Sequence, residues 1–226
     1  MTVLTLQVGR EAHSLRLSTV ATLRRAILNL TFKPGQKLTE RELCGLTGVG
    51  RSLMREALRH LEAEGLIVNV PHRGPSVISI GKRDAIEIYQ VRLALEPIAA
   101  REFADHASND EVDLLIANSK SVRRASAQSD TDAIAVALGE FYATLYAGAH
   151  NRIAAELARN LYNRSMLLRA VTFFRQTLKE RKDSISGHQR IVDLLAKRDA
   201  SGAAEACVAH IRHSQEVAER VLLEAE

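Results

Sequence analysis

The stretch Glu40–Gly65, reading ERELCGLTGVGRSLMREALRHLEAEG, constrains this chain more than any other. Two short helical patterns flank a tight, glycine-bearing turn. Thr39 and Glu42 form a T-x-x-E capping box, in which the threonine hydroxyl accepts from a first-turn backbone N–H. Leu43 and Leu46, three apart, predict one apolar face for the first helix, and Gly45, Gly48 and Gly50 predict its end. The second helix is expected from about Arg51, with Gly65 supplying the left-handed residue that ends it. Met54, Ala57, Leu58 and Leu61 follow the i, i+3, i+4, i+7 spacing of a buried face. Arg51, Arg55 and Arg59 fall four apart and form a stripe on another face. A short helix, a turn and a helix bearing an arginine ridge is the layout of a helix-turn-helix.

Arginine gives that ridge two readings. A guanidinium can donate two parallel hydrogen bonds to guanine O6 and N7, or clamp a phosphate. Equally, a charged stripe can be a solvated face with Glu56 and Glu62 as partners. Charge distribution favours nucleic acid. The net charge is +4, but residues 1–81 hold eleven Lys/Arg against six Asp/Glu, and residues 82–226 hold twenty against twenty-one. The basic excess is confined to the segment with the ridge, as an electrostatic footprint for DNA requires. A basic membrane-binding segment needs a large apolar face, which this segment spends on a core instead.

Around the ridge the chain reads as two domains. Residues 1–13 have no clear period and are expected to form a flexible arm. A helix follows from about Leu17 to Leu30, with Ser18 as N-cap and Val20, Leu23, Ile27 and Leu30 inward. Phe32-Lys33-Pro34-Gly35 predicts a type II turn. After Gly65, strand residues to Val70, a Pro71–Gly74 turn and a second run from Pro75 to Ile80 predict a β-hairpin wing. Arg73 and Gly74 at its tip are candidates for a minor-groove contact, or simply a solvated turn. Residues 14–81 therefore predict a winged helix-turn-helix of three helices and a wing. From Lys82 onward strand signals vanish, and residues 82–226 predict an all-α antiparallel bundle of six helices. These fall at Asp84–His106 (kinked or ended early by Pro97), Ser108 to about Gln128, Asp130–Gly148, about Arg152–Phe174, Ser186–Lys197 and Gly202–Glu224. Arg175–Ser184 is polar and predicts a loop. Composition is ordinary for a globular chain, 46% hydrophobic and 26% charged. No apolar run is long enough to cross a bilayer and no leader is evident, which predicts a soluble, cytoplasmic protein without a membrane partner. Cys44 and Cys207 lack metal-type spacing and read as small buried groups.

Pro34–Ile67, PGQKLTERELCGLTGVGRSLMREALRHLEAEGLI, resembles the GntR-family winged helix, whose pattern is roughly PG-x-x-L-x-E-R-E-L-A followed by G-V-S-R-x-x-V-R-E-A-L-x-x-L-x-x-E-G-L. Gly50 stands where serine is usual, Leu53 for proline and Cys44 for alanine, and none of the arginines is missing. The resemblance implies DNA contacts from Arg41, Arg51, Ser52, Arg55, Arg59, Arg73 and Gly74, and a homodimer on a palindromic operator.

The second half resembles the FCD domain of the FadR branch of GntR regulators. The matching pieces are Val91–Ala100 (VRLALEPIAA), Phe141 with Asn151, Ser184 with His188, and Ala209-His210-Ile211. Many such domains hold a divalent metal through an aspartate, a histidine four residues later and two more histidines. Here the first pair falls on Leu138 and Tyr142, and the second on His188 and His210. Leucine cannot ligate, and tyrosine, with a pKa of roughly 10, is a poor ligand for zinc or nickel at neutral pH. The resemblance thus implies either a weak two-histidine metal site or a metal-free pocket in which Tyr142, His188 and His210 hydrogen-bond a small-molecule effector. His213, three residues from His210, is expected at the surface. Arg92 reads either as a clamp for an effector carboxylate or as a surface salt bridge with Glu96. An enzyme is disfavoured, since H-E-x-x-H, the P-loop and G-x-S-x-G motifs are all missing and Gly48-Val49-Gly50 has no third glycine. An architectural DNA binder without an effector is the remaining alternative.

Overall fold

Helix α1 spans Arg10–Leu28, seven residues earlier at its start than periodicity predicts. A computed structural model of the chain describes residues 10–173 and 175–224. Ser18 lies inside α1 and caps nothing at its start. Residues 10–17 contain neither Gly nor Pro, so they are free to continue the helix. Leu15 and Leu17 stay exposed, so the buried stripe becomes visible only at Thr19 and Val20. Of the expected N-terminal arm, residues 10–13 are therefore helical, and residues 1–9 lie outside the described residues.

Helix α2 (Glu40–Thr47) begins as its capping signal predicts, with the Thr39 hydroxyl accepting from the Glu42 N–H at 3.3 Å. The Glu42 carboxylate accepts from the Thr39 hydroxyl at 3.5 Å. Leu43 is buried, but Leu46 is 67% exposed, so the apolar face is one residue narrower than predicted. Gly45 sits within the helix, and Gly48, at φ +71°, is the residue that ends it. Helix α3 (Arg51–Ala63) buries Met54, Ala57, Leu58 and Leu61. Its end is a Schellman turn: Gly65 at φ +72° lets its N–H reach Glu62 O and the Leu66 N–H reach Leu61 O.

Strands β1 (Ile67–Val70) and β2 (Gly74–Val77) pair antiparallel, with Val70 opposite Gly74. Gly35, at φ +75°, turns the chain after Pro34 and sends the Gln36–Leu38 segment along β2. Leu38 N–H donates to Pro75 O at 2.8 Å, and Val77 N–H donates to Gln36 O at 2.9 Å. The wing is thereby tied to the segment that leads into α2. Val20, Leu23, Ile27, Phe32, Leu38, Leu43, Leu66 and Val77 complete this core with the inner face of α3. The chain divides into two compact units, one of Met1–Ile27 with Thr31–Ile78, the other of Leu28–Leu30 with Ser79–Glu226.

The second unit holds six helices: α4 (Lys82–His106), α5 (Asn109–Gln128), α6 (Thr131–Gly148), α7 (Arg152–Phe173), α8 (Leu178–Ala196) and α9 (Ala200–Leu223). Helix α4 packs along α9, α5 along α6, and α8 along α9. The starts follow from local side-chain chemistry. Ser108 and Glu111 close a reciprocal capping box, Asp130 accepts from Ala133 N–H, and Asp199 accepts from Gly202 N–H. Pro97 neither stops α4 nor shortens it. The expected loop at Arg175–Ser184 is instead mostly helix. Thr177 and Glu180 form a capping box at 2.7 and 3.2 Å, and α8 begins at Leu178. Its first turns are charged and only partly buried, so no apolar period announces them.

Helices α4 and α6 meet where there is no room for a side chain. A Cβ on Gly148 would sit 2.5 Å from the Phe103 ring and 3.3 Å from Ala107 Cβ. Gly148→Ala is therefore expected to cost about 1–3 kcal/mol through overpacking. All four tyrosines (Tyr89, Tyr142, Tyr146 and Tyr162) lie in the bundle and the chain has no tryptophan, so urea unfolding followed by tyrosine fluorescence reads this unit selectively.

Candidate nucleic-acid interface and bundle cavity

Burying one face of α3 turns the arginines of the other face to solvent. Arg51, Ser52, Arg55 and Arg59 are all exposed, as is Arg41 on α2. Among the described residues Arg41, Arg51 and Arg59 make no ion pair, and neither Glu56 nor Glu62 pairs with the ridge. Arg55 donates through Nε to the Glu40 carboxylate at 3.0 Å, a contact the sequence does not signal because the partners are fifteen residues apart. Gly50, standing where the family usually has serine, gives α3 no side-chain cap. At the wing, Gly74 at φ +85° and His72 at φ +61° form the tight tip. Arg73 is exposed and donates to Gly35 O at 3.0 Å. On the far side of α3's C-terminus, Glu64 is held by Arg24 of α1 at 2.5 and 2.8 Å, which fixes the helix end against α1.

In the bundle, the four effector candidates are all buried, but they do not form one donor set. Arg92 on α4 is not at the surface: it is 5% exposed, as is its partner Glu96. The guanidinium donates to Glu96 at 2.5 and 3.2 Å and to the Tyr142 phenol at 3.0 Å. The salt bridge of the sequence reading is thus formed, in the interior. Burial works against the Arg92 charge, but Glu96 together with Tyr142 and Tyr89 outweighs it and holds the pKa well above the usual arginine value. Burial also pushes the Tyr142 phenol up, so it keeps its proton.

His188 on α8 packs its ring 4.2 Å from that of Phe141, and the His210 ring of α9 lies 6.3 Å from His188. His188 Nε2 and His210 Nδ1 are buried without a hydrogen-bond partner. Burial, with Arg169 adding repulsion, lowers the His188 pKa to about 4, and burial with His188 and Arg92 nearby lowers His210 well below its ordinary value. Both rings are neutral near pH 7. The approach of α8 to α9 here depends on Gly187, whose added Cβ would lie 2.9 Å from His210 Nδ1.

These residues do not fit a divalent metal. Leu138 is buried with no donor atom, Tyr142 is protonated and engaged by a guanidinium, and two histidines remain. Among the described residues no group of three or more His, Cys, Asp or Glu is placed to hold an ion. Cys207 is buried and Cys44 half-buried, both free thiols.

A cavity of about 20 Å³, roughly the room one water needs, opens beside Arg92. Arg169 and Thr172 of α7, Ser184 of α8 and His213 and Ser214 of α9 line it with Arg92. His213 is therefore half-buried and not fully at the surface: its Nε2 is buried and unpartnered in a residue that lines the cavity, as is Arg169 Nε. The carboxylates nearby are spoken for. Glu96 takes Arg92, and Glu180 at the rim takes Arg220 at 2.9 and 3.1 Å and caps α8. The sequence carries no signal for Arg169 and points His213 to the surface, because three separate helices bring the two together beside Arg92, which no single period records.

A winged helix-turn-helix with an exposed arginine ridge, joined in one chain to a helical bundle, is the make-up of a DNA-binding transcriptional regulator. Comparison with known proteins agrees. The model of the bacterial regulatory proteins of the gntR family matches residues 15–77, and that of the FCD domain matches residues 87–213. The HTH-type transcriptional regulator YdhC of Bacillus subtilis (strain 168) is 30% identical over 204 residues, covering 89% of this chain and 90% of the relative. The HTH-type transcriptional repressor RspR of Escherichia coli (strain K12) is 28% identical over 199 residues, covering 88% and 85%. The solved structure of E. coli McbR/YncC shares the fold, with a TM-score of 0.78 at 21% identity over 97% of this chain and all of that one. The chain belongs to the GntR family of bacterial regulators and carries an FCD domain. No described helix is long and apolar enough to cross a membrane.

Proposed function

We propose that this regulator belongs to the FadR branch, binds a palindromic operator as a homodimer, and responds to a small anionic metabolite taken up by the bundle without a metal. The observation that carries the DNA half is the set of exposed arginines on α3, held at fixed spacing by the buried face behind them. Arg51 and Arg55 read base edges, with Ser52 between them. Arg41, Arg59 and, at the wing, Arg73 with Gly74 contact phosphates or the minor groove. A single winged helix covers only a half-site, and two-fold symmetry in the protein matches symmetry in the operator. Arg51→Ala is expected to cost about 1–3 kcal/mol and to relax preference at one base position. Arg41→Ala is expected to weaken all sequences alike and to reduce the slope of log affinity against log salt by about one. Fluorescence anisotropy at several salt concentrations distinguishes the two, and unchanged operator binding by both Arg51→Ala and Arg55→Ala would refute the assignment of α3.

The observation that carries the effector half is the cavity: it gathers Arg92, Arg169 and His213, and its nearby carboxylates already have cationic partners. Buried donors without acceptors favour an anion, with the Ser184 and Ser214 hydroxyls in the cavity lining and Tyr142, His188 and His210, outside that lining, as further candidate contacts. A cavity of water size admits a metabolite only if α7, α8 and α9 move apart. A ligand that selects the opened bundle shifts its population, and a difference in operator affinity between the two forms, typically about 1–3 kcal/mol, is enough for regulation. Thermal shift against mono-, di- and tricarboxylates tests this. Stabilisation that disappears in Arg169→Met supports the site, whereas equal stabilisation of the wild type and Arg169→Met places the ligand elsewhere. Elemental analysis showing one zinc, nickel or manganese per chain, lost in His188→Ala, would contradict the metal-free reading.

A further inference from the structure

We infer that Glu40, the first residue of α2, is a positioning residue that sets which edge of the Arg55 guanidinium faces DNA, and so fixes the base preference of α3. The inference rests on the reading of α3 as the recognition helix. Arg55 is the one ridge arginine held by an acid among the described residues, and the contact is made through Nε at 3.0 Å. A guanidinium presents five N–H groups in a planar fork. With Nε occupied by a carboxylate, the two terminal amino groups remain as a parallel pair, the geometry that guanine O6 and N7 accept.

Both side chains stay accessible, 56% for Arg55 and 36% for Glu40, so the pair lies on the solvent face of the motif. An exposed ion pair contributes little to stability. A carboxylate on a face meant for phosphates also costs affinity by repulsion. What Glu40 contributes there is orientation: it restricts the rotamers of Arg55 before DNA arrives, which lowers the ordering cost of the base contact. The Glu40 backbone is set by the Thr39 cap, and Arg55 is anchored between Met54 and the buried Ala57–Leu58 pair, so both ends of the contact are fixed.

The test is sequence selection from a randomised duplex library with the wild type, Arg55→Ala, Glu40→Ala and Glu40→Gln. Glu40→Ala is expected to lose preference at the one position per half-site that Arg55→Ala also loses, by roughly five- to a hundredfold, with other positions unchanged. Glu40→Gln keeps an acceptor for Nε without the charge and is expected to restore most of that preference. If Glu40→Ala binds every sequence more tightly with unchanged preference, Glu40 is only a repelling charge and the inference fails. Should Arg55→Ala select the same site as the wild type, the inference fails with Arg55 itself. A wild type that enriches no sequence defeats the underlying reading of α3 rather than the role of Glu40.

Discussion

Arg92→Met is expected to destabilise the bundle by about 3–5 kcal/mol, because it strands the Glu96 carboxylate in the interior. Glu96 is as buried as Arg92, and the guanidinium is its ion-pair partner and the donor to Tyr142. Removing the cation leaves a charge without a counter-charge and a phenol without its donor. Glu96→Gln is expected to cost a comparable amount from the other side. The double variant Arg92→Met/Glu96→Leu is expected to recover most of the loss, since apolar groups of similar volume can replace a buried pair at little net cost. Urea unfolding read by tyrosine fluorescence measures all three. If Arg92→Met alone shifts stability by less than 1 kcal/mol, the pair is solvated and the interior assignment is wrong.

Acidification is expected to act almost as strongly, through His188 and His210. In the unfolded chain both titrate near the ordinary histidine value of about 6.5, while in the fold His188 titrates at about 4 and His210 well below normal. Between those values the unfolded state binds more protons than the native state, so stability falls as pH drops from 6.5 and is flat above it. For His188 alone the full span corresponds to roughly 3 kcal/mol, at about 1.4 kcal/mol for each unit of pKa difference. Glu111 and Glu180 have pKa values lowered from the ordinary carboxylate value, so their contribution is lost only as pH falls through and below about 4.5, and the window from pH 6.5 to 4.5 belongs mainly to the histidines. His188→Leu is expected to make the curve shallower in that window, with His210 supplying the slope that remains, as measured by urea midpoints at half-unit pH intervals. A wild type with a constant midpoint from pH 7 to 4.5 would contradict the burial of both rings.

What the sequence reveals here is mostly local chemistry. Thr39, Ser108 and Asp130 mark helix starts because a short polar side chain caps its own next turn, and Gly65 ends α3 because that turn needs a left-handed residue. The buried face of α3 follows from spacing alone. The start of α8 is concealed: its capping box at Thr177 is as clear as the one at Ser108, but the polar turns LKERKDS after it carry no apolar period. Helix α1 is mistimed for a similar reason, since Leu15 and Leu17 are exposed and give no apolar stripe ahead of Thr19 and Val20.

The exposed arginines of α3 are legible because one helix carries them at a repeat of four. The cavity is not. His213 and Arg169 belong to helices far apart in the chain, and only packing brings them beside Arg92. Arg92 itself shows the limit: the spacing to Glu96 announces the salt bridge, but whether it is wet or dry depends on α6 and α9 lying over it. His188 and His210 are recognisable from the FCD resemblance, whereas their lack of hydrogen-bond partners is a property of the packed bundle.

The central claim is that two copies of the α3 ridge read a symmetric DNA site, and the mean sequence selected by the wild-type chain from randomised duplexes tests it most directly. The expected result is a short inverted repeat with guanines in each arm, bound by two chains per duplex. Enrichment of a single unrepeated half-site bound by one chain, or no enrichment at all, would contradict it.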